Sequence, residues 1–170
     1  MSKKKIRLHE FQSYLAARLA GTSDRSSAGL LGLQAGSDYW LVDLADSGEI
    51  VPLSPLTDVP LTKPWFAGIV NIRGNLYSVV DLSAFLGKEA TPRNGSSRLL
   101  LIGTRHGSNA ALLVTRMIGL RNIEALNAEP PDPQAPVWAH QAYTDNEGRR
   151  WRKLRVRDLL ADDKFMDIGV

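Results

Sequence analysis

Catalysis needs groups that converge, and the sequence offers few side chains able to do so. His9, His106 and His140 lie far apart in unrelated contexts, and no His-x-x-x-His or other metal-ligand spacing occurs. There is no phosphate-cradling Gly-rich loop ending in Lys-Ser/Thr and no Gly-x-Ser-x-Gly elbow. With no cysteine in the chain, a thiolate nucleophile, a thiolate metal site and a disulfide framework are excluded. Asp162 and Asp163 are adjacent near the end of the chain and suit a solvated helix end better than an acid/base pair. Asp145 and Glu147 fall in a turn. Asp81 closes an apolar run, where its carboxylate is placed to cap a helix starting near Leu82 by accepting orphan backbone N–H bonds. The residues therefore name no catalytic group, cofactor or metal site, and a non-enzymatic role is expected. One cation stands out by position. Arg73 sits in Arg73-Gly74-Asn75, between the apolar runs Phe66–Ile72 and Leu76–Leu82. A charge this close to buried strands must be paired, hydrogen-bonded or turned outward.

The elements that would position Arg73 are legible. Gly and Asn between β-rich runs mark a hairpin or sharp bend, because both accept positive φ at low cost. The flanking runs are nearly continuous rather than alternating, which predicts strands buried on both faces. Before them, Gly29–Gln34 and Tyr39–Leu44 read as strands around a turn at Ala35-Gly36-Ser37-Asp38. A second turn is expected at Ser47-Gly48, before the apolar segment Glu49–Leu53. Pro52, Pro55, Pro60 and Pro64 mark an extended crossing, and Ala128–Pro136 is a second. Arg98–Thr104, Ala110–Val114 and Met117–Ile123 read as strands. Val137–Thr144 and Arg149–Val156 flank a turn at Asp145-Asn146-Glu147-Gly148, and Arg157–Ala161 reads as a short helix.

Turn signals thus recur every ~8–12 residues over 29–156, the signature of an all-β sandwich or barrel. The crossings divide the chain into two expected units, residues 29–73 with 137–160 and residues 74–136. Residues 1–28 read as an appendage. Leu8, Phe11, Tyr14, Leu15, Ala17, Leu19 and Ala20 predict an amphipathic helix over 8–20, followed by a Ser-rich linker. No secretory apolar segment follows the basic start, and no apolar run reaches the ~20 residues of a membrane span.

The net charge of +3 is modest, but the cations cluster. Lys3, Lys4, Lys5 and Arg7 form one group. Arg149, Arg150, Arg152, Lys153, Arg155 and Arg157 form another. Either group suits a solvated face, an acidic partner, a nucleic acid or a membrane surface. Trp151 within the second raises the alternative of a small basic barrel that stacks single-stranded bases.

Gly68-Ile69-Val70-Asn71-Ile72-Arg73-Gly74, followed by Val79-Val80-Asp81-Leu82 and Leu86-Gly87, resembles the centre of the CheW-like family of chemosensory scaffold proteins. The resemblance extends over about residues 29–160, with Arg157-Asp158-Leu159-Leu160 in the place of the family's final helix. It implies two interlocked five-stranded β-barrel subdomains, an N-terminal amphipathic helix and a short C-terminal helix. The implied function is that of an adaptor. Its partners would be the regulatory domain of a CheA-type histidine kinase and the cytoplasmic tip of a chemoreceptor, with no nucleic acid and no membrane insertion. The implied location is the cytoplasm, at membrane-associated receptor arrays. Carried over by position, Gly68, Ile69, Asn71, Arg73 and Gly74 would form the receptor-facing groove. The long N-terminal appendage and divergent ends are similar to the variants serving pathways that control type IV pili and twitching, the PilI type.

Overall fold

A computed structural model describes residues 29–170 of the 170-residue chain. The helix expected over 8–20 and the Lys3–Arg7 cluster lie outside the described residues. The rest is mostly β, in two sheets. The chain enters as β1 (Leu30–Ala35) and returns as β2 (Asp38–Asp43) after the expected turn. Here Ser47-Gly48 opens β3 (Ser47–Pro52) rather than making a turn. Asp46 N–H donates to the Asp43 carbonyl (2.9 Å), so the chain has already reversed at 44–46. After the proline crossing come β4 (Phe66–Ile72), β5 (Asn75–Asp81) and the single-turn helix α1 (Leu82–Phe85). Next are β6 (Arg98–Ile102), β7 (Ala110–Val114), β8 (Arg116–Arg121) and the two-residue β9 (Asn127–Ala128). The β10 (Ala142–Thr144) and β11 (Arg150–Leu154) hairpin leads to α2 (Val156–Leu160) and α3 (Asp163–Met166).

The five-stranded sheet runs β3-β6-β7-β5-β4 and the six-stranded sheet β8-β1-β2-β11-β10-β9. The strands do not divide along the expected boundaries. β4 was expected with the first unit, but a two-residue turn holds it to β5, with Ile72 opposite Asn75. β3 also joins the second sheet, along β6. Conversely β8 and β9 leave the second unit. β8 pairs with β1 through a bulge between Gly32/Gly119 and Leu33/Met117, and β9 pairs with β10. The first sheet therefore has six strands rather than five.

Alternation explains why the strands read as continuous apolar runs. Leu31, Leu33, Trp40 and Val42 face one way from the first sheet, and Leu100, Leu112 and Val80 face them from the second, forming a shared core. The opposite faces build separate interiors. Leu30, Leu41 and Trp151 fill one, and Val70, Ile72, Val79, Leu99, Leu101 and Leu113 fill the other. Both faces of the strands β1, β6 and β7 are thus almost wholly covered, which removes any need for polar residues at alternate positions there. The C-terminal segment closes the shared core. Phe165 stacks on Trp65 (6.4 Å between rings) and meets Phe85 edge-on (5.4 Å), and Gly169 pairs with Thr62.

Candidate partner-binding hairpin

The β4–β5 hairpin lies at the edge of its sheet, since β4 is the terminal strand. Its turn is set by local conformation. Arg73 (φ 51°) and Gly74 (φ 85°) both take positive φ, as a type I′ turn requires. Arg73 bears a cost there that a glycine would not, and the flanking contacts hold it. The Asn71 side-chain oxygen accepts from Gly74 N–H at 2.9 Å, closing the loop from the strand side. The Arg73 guanidinium reaches across to Glu49 on β3 as a fork, Nη1 to Oε1 at 3.0 Å and Nη2 to Oε2. The pair raises the Arg73 pKa and lowers that of Glu49, in each case chiefly through the hydrogen bond between them. The expected choice among pairing, hydrogen bonding and outward placement is thus met by all three, since the Arg73 side chain is 65% exposed.

Gly68 has a different office. Its φ is 131°, and a Cβ placed on it would lie 2.5 Å from the Thr57 carbonyl oxygen. The residue is bare so that the proline-rich crossing can dock. Thr57 N–H donates to the Ile69 carbonyl and Ile69 N–H to the Thr57 carbonyl, both at 2.9 Å. Gly68 is buried.

The hairpin is not buried on both faces along its whole length, as the continuous apolar run suggested. β7 pairs with β5 only from Ser78 to Asp81, so the turn end of the hairpin stands beyond its neighbour. Beyond that point one face still covers Val70, Ile72 and half-buried Tyr77 in the second sheet's interior. The other face carries the cross-strand pairs Asn71/Leu76 and Ile69/Ser78. It is the face that holds Phe66 and Val80 in the shared core. Past Ile69 it emerges into solvent, with Leu76 59% exposed. The sequence motif singles out neither Leu76 nor Glu49. Leu76 was accessible, because a two-residue turn between Ile72 and Asn75 forces it opposite Asn71. Glu49 was not, since nothing local marks a partner 24 residues away.

Asp81 and His106 serve the fold. Asp81 is 5% exposed and caps α1 by accepting from Ala84 N–H (3.3 Å). It also accepts from Thr91 N–H (2.8 Å) and the Thr91 hydroxyl (2.6 Å). His106 shares a hydrogen bond with Asp46 (2.8 Å). Among the described residues, no group of three or more His, Asp or Glu side chains is placed to hold a metal ion. No helix among them is long and apolar enough to cross a membrane.

Three of the six cations between Arg149 and Arg157 are paired. Arg150 pairs with Glu129 (3.0 Å), Lys153 with Asp43 (3.3 Å) and Arg155 with Asp158 (3.0 Å). Trp151 is fully buried, with its indole N–H donating to Asp145 at 2.9 Å. The ring on which the base-stacking alternative leaned is part of a core.

The chain is similar in sequence and fold to known proteins. The chain is 23% identical over 142 residues to Protein PilI of Pseudomonas aeruginosa, covering 82% of this chain and 79% of that protein. It is 26% identical over 101 residues to the chemotaxis protein CheW of Helicobacter pylori, covering 59% and 60% of the two chains. The fold matches that of the scaffolding protein TtCheW from Thermoanaerobacter tengcongensis with a TM-score of 0.68 at 19% identity, covering 81% of this chain and 95% of that one. The family model of the CheW-like domain matches residues 29–164, which hold the two sheets, the hairpin and α2, and by that match this chain belongs to the CheW-like family.

Proposed function

We propose that this protein is a non-enzymatic adaptor that couples the cytoplasmic tip of a chemoreceptor to a CheA-type histidine kinase. Family membership supports the scaffold role in general terms. The observation that carries the specific reading is the face of the β4–β5 hairpin that runs from the shared core into solvent. Ile69 and Leu76 offer apolar contact there, Asn71 and Ser78 offer polar contact, and Arg73 stands at the tip. A half-apolar ledge ending in a guanidinium suits an amphipathic helical partner: the apolar residues supply contact area, and Arg73, held in place by Glu49, offers its remaining exposed N–H donors to a partner's acceptor and so fixes register. Ile69, Asn71 and Arg73 would touch the partner, while Gly68 and Gly74 shape the surface. The regulatory domain of the kinase would bind elsewhere on the same two-sheet unit, residues 29–160, with residues 1–28 as an extension. The likeness to PilI over most of both chains favours an output on pili and twitching motility. The work would be done in the cytoplasm, at receptor arrays.

The test is calorimetry of the full chain against a receptor-tip fragment and, separately, against the kinase regulatory domain. Saturable binding of both is expected. Arg73→Ala should weaken receptor binding about tenfold while the melting temperature stays within about 2 °C, because an exposed ion pair adds little to stability in water. Loss of neither interaction in Arg73→Ala removes the hairpin tip from the site. Absence of both interactions in the folded parent removes the adaptor reading.

A further inference from the structure

One feature of the sequence is not absorbed by the hairpin, namely the arginines of the β10–β11 turn. β2 and β11 pair in parallel, Tyr39 opposite Trp151 and Trp40 opposite Arg152. Parallel strands begin at the same end of a sheet, so the turns that precede them must lie side by side. The β1–β2 turn and the β10–β11 turn accordingly form the two walls of an open cleft, lined by Asp38, Tyr39, Glu147, Arg149, Arg150 and Arg152 among others. It is built on different strands from the β4–β5 hairpin.

The two walls are stiff. Asp145 accepts from Glu147 N–H, Arg149 N–H and the Trp151 indole, each at 2.9 Å, and so fixes the β10–β11 turn. The Arg149 guanidinium lies 4.3 Å from the Tyr39 ring centroid, and that ring leans on Trp151 at 5.3 Å. Arg149 is thereby held across the cleft by a ring face rather than by an ion pair, with the Asp145 carboxylate close enough to feel its charge. Arg150 is engaged by Glu129 and Asp38 by Lys88. Among the described residues, Arg149 and Arg152 make no ion pair and donate no side-chain hydrogen bond. Both are half-buried. Two guanidinia with unused donors, presented on a braced surface, are matched by carboxylates, which each can bind through two parallel hydrogen bonds.

We propose that this cleft is a second docking site, taking a carboxylate-bearing segment of a partner protein. A nucleic acid fits it less well on two counts. Trp151 is buried and Tyr39 is covered by Arg149, which leaves no open ring for a base. Asp38 and Glu147 in the lining would repel a row of phosphates, whereas a protein segment can place single carboxylates between them. The site stands independently of the hairpin reading.

The experiment is a titration of the 15N-labelled full chain with a Ser-Glu-Ser-Glu-Ser-Glu peptide, and separately with an oligothymidylate, at the same low salt. Saturable amide shifts confined to Ser37–Tyr39 and Glu147–Arg152 are expected with the peptide. Arg149→Gln/Arg152→Gln should weaken that binding about tenfold and keep a dispersed, native-like spectrum. If the double variant does not fold, Arg152→Gln alone carries the comparison. Shifts absent from these two turns overturn the proposal, as does binding unchanged in the variant. Equal or tighter binding of the oligothymidylate at the same amides overturns it in favour of a nucleic-acid site.

Discussion

Gly68→Ala separates the two things a residue in this hairpin can do, shape the surface or touch a partner. Two costs follow from the geometry. At φ 131° an alanine is held in a region that side chains disfavour, at about 1–3 kcal/mol. Its Cβ would also lie 2.5 Å from the Thr57 carbonyl oxygen, a separation that cannot persist. The proline-rich crossing must then retreat, and the reciprocal Thr57–Ile69 hydrogen bonds at 2.9 Å are lost. At about 1 kcal/mol net for each bond, the total comes to about 3–5 kcal/mol. That is a large share of the ~5–15 kcal/mol by which a domain is stable. For a folded unit of this size it corresponds to a fall in melting temperature on the order of 10 °C. Thermal unfolding by circular dichroism, with urea unfolding alongside, reads it directly. An alanine variant that melts within about 2 °C of the parent but no longer binds the receptor fragment refutes the reasoning. It would make Gly68 a contact residue, with the crossing free to move at no cost.

Two further outcomes are expected. Phe165→Ala empties an aromatic site packed between Trp65 and Phe85 and should cost about 3–5 kcal/mol in urea unfolding. A loss under about 1 kcal/mol would mean that the C-terminal segment only decorates the core. Asp145 has its pKa lowered, first by the Trp151 indole hydrogen bond and then by the backbone N–H groups of Arg149 and Glu147. The carboxylate is thus bound less readily by protons in the folded state than in the unfolded one. Its stabilisation is complete above the unfolded value of about 3.9 and is lost as pH falls through the lowered folded value. Melting temperature against pH should therefore fall less steeply in acid for Asp145→Asn than for the parent. Parallel curves for the two proteins would exclude Asp145 as a contributor to acid unfolding.

Local chemistry carries far in this chain, and its limits have a common cause. The Arg73-Gly74 turn, the Asp81 cap and the Asp145–Gly148 turn are each written within a few residues, because positive φ and orphan N–H groups are local demands. The proline crossings alone do not say which sheet β4 joins, and the two-residue turn that binds β4 to β5 is the stronger constraint. Nor could the basic run at 149–157 be sorted from composition. Glu129, Asp43 and Asp158, which neutralise three of its cations, become neighbours of two of them only through strand pairing.

By itself, then, the order of residues determined the strands, the tight turns, the motif of the β4–β5 hairpin and the mostly β character, since each depends on side-chain alternation or on backbone conformations a few residues long. Tertiary structure alone decided which strands share a sheet, that Arg73 meets Glu49, that Gly68 must be bare beneath Thr57, and that Leu76 faces water. These depend on backbones brought together from distant parts of the chain, where the partner atom rather than the residue itself settles whether a charge is free, a glycine is required or a leucine is covered.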